Sequence, residues 1–150
     1  MEKRTVERSV IISALAPDVW KAITDPEIIK KFLLGANVDT DWKEGSPITY
    51  SGTFKEKEYR DKGKVLVFEK NKKLEHTYWS SLSGTEDIPE NYFIVTYELE
   101  QRENDTVLCI TQEGLMSEDS YQHSAQNWEG VLQKIKDLVE KEVVASPVIS

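Results

Sequence analysis

Reactive residues are scarce in this 150-residue chain, which has one cysteine and two histidines. A lone Cys109 excludes a disulfide framework and a thiolate metal cluster. Flanked by Val107, Leu108 and Ile110, it reads as a sheet residue and not as a nucleophile. His76 and His123 lack metal-ligand spacing, and no Gly-rich phosphate loop or Gly-x-Ser-x-Gly elbow occurs, so neither metal nor cofactor is expected. Any apolar run long enough for a signal-peptide core or a membrane span is also missing. Met1 leads straight into Glu2-Lys3-Arg4, which makes a cytoplasmic location the expectation. Basic charge is in deficit: the formal net charge of -8 argues against nucleic acid and anionic membranes as partners, because both select positive surfaces. No internal repeat or low-complexity block appears.

What is present suits one domain. Hydrophobic residues at 39% are enough to close a core at this length and too many for wholesale disorder. The longest regular pattern is near the end. From Glu118 to about Lys141, Tyr121, Ala125, Trp128, Leu132, Ile135 and Leu138 recur at three- and four-residue steps, the stripe of a helix with one buried side. Gln122, Gln126, Glu129, Gln133, Lys136, Asp137 and Glu140 occupy the solvated side, and His123 turns toward that flank. Ser117 is placed to cap the helix, Glu118 and Asp119 suit its positive end, and Lys134, Lys136 and Lys141 suit its negative end. Gly130 in mid-helix suggests a close backbone approach or room beside Trp128. Residues 143–150 fall outside the stripe and read as a flexible tail to a domain of residues 1–142.

Before this helix the period changes to two. Arg4 to Ser13 reads as a strand with Val6, Arg8, Val10 and Ile12 on one face. Pro17 and Pro26 each open a short helix, the second capped by Asp25, with Val19, Trp20, Ile23, Ile28, Ile29 and Phe32 as the apolar sides. Six strands follow, at about 33–42, 47–55, 62–69, 73–80, 92–101 and 106–114, joined by polar turns that favour an antiparallel meander. The charged runs at 55–58 and 69–73 read as solvated hairpin decoration. Residues 81–91 lack periodicity and read as a mobile loop at the rim. Val65, Val67, Leu74, His76, Tyr78, Phe93, Val95, Tyr97, Leu99, Leu108, Ile110 and Gln112 form the inner face. A sheet dry on one side requires a cover, and the last helix is the element long enough to supply it.

The stretch Ala16-Pro17-Asp18-Val19-Trp20-Lys21-Ala22-Ile23-Thr24-Asp25-Pro26-Glu27 closely resembles the opening motif of the family named after the activator of Hsp90 ATPase, in its single-domain form, within the START-like superfamily. Further matches follow in order: Glu44-Gly45, Gly63-Lys64-Val65, Lys73-Leu74 with Tyr78, Thr96-Tyr97-Glu98-Leu99, Asp105-Thr106, Glu113-Gly114-Leu115 and Asn127-Trp128, and the resemblance spans about residues 6 to 141. It implies an α+β helix-grip fold, in which a curved seven-stranded antiparallel sheet carries two short helices and a long C-terminal helix packed across it.

The resemblance also implies a cavity between long helix and concave sheet that takes a small apolar ligand. Joined to the inner-face pattern, it places Phe32, Tyr50, Tyr78, Phe93, Tyr97, Ile110, Trp128, Leu132 and Ile135 in the cavity wall, with His76 and Gln112 as polar contacts. The plainer alternative is that these side chains fill the space themselves. His76 is the one candidate acid or base, provided Glu113 or a tyrosine hydroxyl orients it; the plainer reading is a neutral histidine bonded to a neighbour. Binding without catalysis is the leading expectation for a monomer or homodimer. An Hsp90-type chaperone as partner in a stress response comes second, because a chain read as one domain is not expected to carry the separate N-terminal domain of the two-domain activators. A cyclase or dehydratase relying on His76 comes third.

Overall fold

The structure is a computed structural model that describes residues 3–33 and 35–145. Strand β1 (Arg4–Ile12) is followed by helices α1 (Ala16–Thr24) and α2 (Pro26–Phe32). Then come β2 (Asn37–Thr40), β3 (Pro47–Phe54), β4 (Lys57–Glu69), β5 (Lys73–Tyr78), β6 (Phe93–Gln101), β7 (Thr106–Leu115) and α3 (Glu118–Ala145). The strands form one seven-stranded antiparallel sheet in the order β1-β7-β6-β5-β4-β3-β2. After β1 the chain crosses through the two short helices to the far edge and meanders back, so that β7 closes against β1. This is the helix-grip arrangement.

Local chemistry explains the joints. Asp25 ends α1 and caps α2, its carboxylate accepting the Glu27 N–H at 2.9 Å while Pro26 takes the first helical position. Leu15, at the N-cap of α1, offers no side-chain acceptor; the Ala16 N–H donates instead to the side-chain Oε1 of Gln101, 2.9 Å away on β6. Lys55 and Glu56, with φ of 50° and 68°, make the two-residue turn between β3 and β4. That turn lets β4 start at Lys57, five residues before the expected boundary. Ser117 Oγ accepts from Ser120 N–H at 3.1 Å and caps α3 as expected.

The inner face follows the period-two reading, with one correction. Val65 pairs with His76 but Val67 pairs with Glu75, because a bulge between them adds a residue to β4. Beyond the bulge the alternation is reversed: Phe68, opposite Leu74, turns inward onto Trp20, and Val67 goes to the outer face. Gly63 is also decided by packing. A Cβ there would lie 1.7 Å from the Thr77 carbonyl oxygen.

Helix α3 lies chiefly along β1, with further contacts to β7, α1 and α2. Ala125, Leu132 and Ile135 are buried as expected, joined by Val131 and Val139, which widen the stripe. Three expectations for this helix need correction. It continues through Ala145, so no basic residue falls in its last turn, and residues 143–145, expected in the tail, belong to the helix. Residues 146–150 of that tail lie outside the described residues. Gly130 is exposed, and an added Cβ would find nothing within 4 Å, so it serves no close approach.

The segment 81–91 expected to be mobile is held at several points. It contains a 3-10 turn, Pro89–Asn91, and Asp87 accepts from the Tyr92 hydroxyl at 2.5 Å and pairs with Lys62. Because α3 leans toward the β1 edge, the concave surface of β3, β4 and β5 is left without helix packing over part of its length.

Candidate functional site

That uncovered part is a cavity of about 460 Å³ between β3–β6, the end of α2 and the first half of α3. Strand register assembles its floor. Val65, His76, Val95 and Gln112 are successive partners across β4, β5, β6 and β7, and Tyr50 on β3 stands opposite Asp61 on β4. Alternation gives all of them to the concave side.

The aromatic side chains form a connected wall. The His76 ring stacks on Tyr97 with centroids 6.3 Å apart, and Tyr97 meets Trp128 edge-on at 6.2 Å. Tyr50 lies 5.9 Å from His76 and 6.2 Å from Tyr78. Burial raises the hydroxyl pKa of Tyr50, Tyr78 and Tyr97, so all three stay protonated.

His76 is only 2% exposed. Its Nδ1 lies 2.8 Å from the Thr77 carbonyl oxygen, which can only accept, so the ring proton is on Nδ1. Burial pushes the imidazole below its ordinary value of 6.5, against a smaller upward pull from the Thr77 carbonyl and Glu75. The ring is thus neutral and Nε2 carries a bare lone pair. That atom is buried without a partner among the described residues. Of the two groups expected to orient the ring, Glu113 is exposed on the outer face of β7 and a tyrosine hydroxyl does not bond it among the described residues; the Thr77 carbonyl does the orienting instead.

Two more polar groups complete the lining. Gln112 accepts from Trp128 Nε1–H at 2.7 Å through Oε1, which leaves its amide N–H₂ to donate into the cavity. Asp61, 7% exposed, accepts from the Tyr78 hydroxyl at 2.5 Å and from Ser81 N–H at 3.2 Å. Its charge helps raise the Tyr78 pKa.

Seven of the eleven expected site residues therefore come together: Phe32, Tyr50, His76, Tyr78, Tyr97, Gln112 and Trp128. Four do not. Ile110, Leu132 and Ile135 are fully packed in the main core nearer β1, because the lean of α3 brings its lower half onto the sheet. Phe93 joins Val6, Leu115 and Ala125 in a separate small cluster. His123, expected on the solvent flank, is exposed and yet at the cavity mouth, one turn before Asn127. Asp61 and Tyr59 also line the cavity and were missed by the sequence reading. Extending the alternation back from Val65 through Gly63 points to both.

Among the described residues no three His, Cys, Asp or Glu side chains come together as metal ligands, and no helix is long and apolar enough to cross a membrane. A second hollow beside the start of α1 is lined by Glu69, Lys72, Lys73 and Glu98, whose opposed charges favour no ligand sign.

Residues 13–140 match the family described as activator of Hsp90 ATPase homolog 1-like protein. The chain belongs to that family. The solution structure of ChR145 from Cytophaga hutchinsonii is similar at 36% identity and a TM-score of 0.83, over 96% of this chain and 99% of that one. Protein MLL2253 from Mesorhizobium loti has 24% identity and a TM-score of 0.77, over 92% of this chain and 98% of its own. The Aha1 dimer from Colwellia psychrerythraea has 21% identity and a TM-score of 0.72, over 91% and 96%. No protein of curated function matches the chain. Activator of Hsp90 ATPase homolog 1-like proteins share the START-like architecture, which commonly binds hydrophobic ligands.

Proposed function

We propose that this chain binds a small hydrophobic or aromatic ligand in the cavity beneath α3, without catalysing a reaction on it. The observation that carries the reading is a 460 Å³ space walled by tyrosine and tryptophan rings, together with a buried polar atom, His76 Nε2, that has no partner among the described residues. A buried acceptor left unpaired costs about 1–3 kcal/mol, and a ligand group that donates to it offsets that penalty. Each Å² of apolar ligand surface withdrawn from water adds about 25 cal/mol, before the cost of ordering the complex. The protein acts as a monomer or homodimer in the cytoplasm.

The test is a screen of aromatic and aliphatic probes by thermal shift and tryptophan fluorescence, repeated on Val131→Trp, which puts an indole into the cavity from α3. Ligands are expected to raise the melting temperature of the native chain and to lose affinity for the filled variant. Absence of any stabilising probe, or binding that survives the filling, overturns the reading.

Family membership favours a second reading, attachment to an Hsp90-type chaperone through the surface. Val131→Trp leaves that attachment intact, so co-purification of the chaperone with the filled variant separates the two. The bare lone pair of His76 Nε2 is the observation behind a catalytic reading. Turnover that disappears in His76→Phe would establish it.

A further inference from the structure

The polar lining of the cavity is uneven in charge. Asp61 is buried at 7% exposure, and its partners, the Tyr78 hydroxyl and the Ser81 amide, are both neutral. Among the described residues no cationic side chain forms an ion pair with it. Alternation along β4 explains why: Arg60 and Lys62, its neighbours in sequence, turn to the opposite face, where Lys62 pairs with Asp87 and lies 5.9 Å from the Trp79 ring centre. A carboxylate taken out of water without a countercharge is costly even when its oxygens accept hydrogen bonds. His76 Nε2, a second buried acceptor, has no partner among the described residues, and Tyr78 stands between it and Asp61.

We propose that the ligand carries a protonated amine on an aromatic or aliphatic body, with the nitrogen donating to Asp61 and the body lying among Tyr50, Tyr97 and Trp128. This rests on the binding reading above and specifies its ligand class. Each feature of the lining suits an ammonium group. Asp61 supplies the countercharge, and aromatic ring faces attract cations. The net charge of -8 draws cations toward the protein as a whole. A carboxylate ligand would meet the charge of Asp61. An alcohol would leave Asp61 uncompensated.

The experiment is isothermal titration of the full chain at neutral pH with three probes of one shape: naphthylethylamine, naphthylethanol and naphthylacetate. The amine is expected to bind tighter than the alcohol by roughly tenfold or more, as charge-assisted hydrogen bonds imply, and the acid weakest. Asp61→Asn keeps an acceptor for Tyr78 and is expected to bring amine and alcohol to equal affinity. Equal binding of amine and alcohol by the native chain, or a preference that survives Asp61→Asn, overturns the charge assignment and leaves the cavity reading standing. Failure of all three probes overturns both.

Discussion

Gly63→Ala and Gly130→Ala are the same chemical change, and the structure assigns them opposite signs. At Gly63 the added Cβ would lie 1.7 Å from the carbonyl oxygen and 2.6 Å from the carbonyl carbon of Thr77, both backbone atoms. The strands must part by about 1.3 Å to reach even a tight contact, and side-chain rotation cannot relieve a backbone clash. Three hydrogen bonds span this place: Lys62 N–H to Trp79 O at 2.9 Å, Trp79 N–H to Lys62 O at 2.8 Å, and Lys64 N–H to Thr77 Oγ1 at 2.9 Å. With a net contribution of about 1 kcal/mol each, their weakening amounts to about 3 kcal/mol. At Gly130 the Cβ meets nothing and alanine is the better helix former, so a gain of about 0.8–1.0 kcal/mol is expected. Urea unfolding of both variants reads the two values on one scale. A loss below about 1 kcal/mol for Gly63→Ala would refute the close approach of β4 and β5. The Gly63 variant carries a second signature, because the displaced carbonyl is the one that holds the His76 proton on Nδ1. Ligand affinity is expected to fall even where the variant remains folded.

Three further outcomes follow from the packing and the titrating groups. His76 is held below 6.5 by burial, so the unfolded chain binds the proton more readily; stability is expected to fall as pH drops through 6.5 and to level off below the folded-state value. That slope disappears in His76→Phe, whereas the exposed carboxylates of Asp87 and Asp105, held below their ordinary 3.8 by Lys62 and Arg102, lose their contributions only in more acid solution. Ile135→Ala, at a fully buried position outside the cavity, is expected to cost about 2–5 kcal/mol in denaturant unfolding with no change in ligand affinity; a large affinity change would return Ile135 to the site. Asp25→Ala removes the acceptor for Glu27 N–H and is expected to cost about 1 kcal/mol, read by the same unfolding assay.

Local rules made most of the architecture legible before any coordinates. Pro17, Pro26 and Asp25 specify helix starts through backbone geometry and a side-chain cap, which depend only on near neighbours. Alternation from Val6 to Gln112 separates the two faces of the sheet for the same reason, and the long stripe through Trp128 and Ile135 defines a cover. Where the chain departs from strict alternation, the reading fails at once: the bulge after Val65 sends Val67 outward and Phe68 inward. Nothing in the composition of Val65-Leu66-Val67-Phe68 distinguishes that arrangement.

Which residues surround empty space is a different kind of question. Trp128, Leu132 and Ile135 share one stripe, yet the first roofs the cavity and the other two are packed solid, because the direction in which α3 crosses the sheet decides where the gap falls. Asp61 and His76 are fifteen residues apart on different strands, and only the hairpin register brings both to one cavity. The sequence by itself determined the elements, their order and the buried side of each, since these depend on spacing and on chemistry within a few residues. Tertiary structure alone decided the size of the space under α3, the bare lone pair of His76 and the missing countercharge of Asp61, since each depends on what the rest of the fold does not place there.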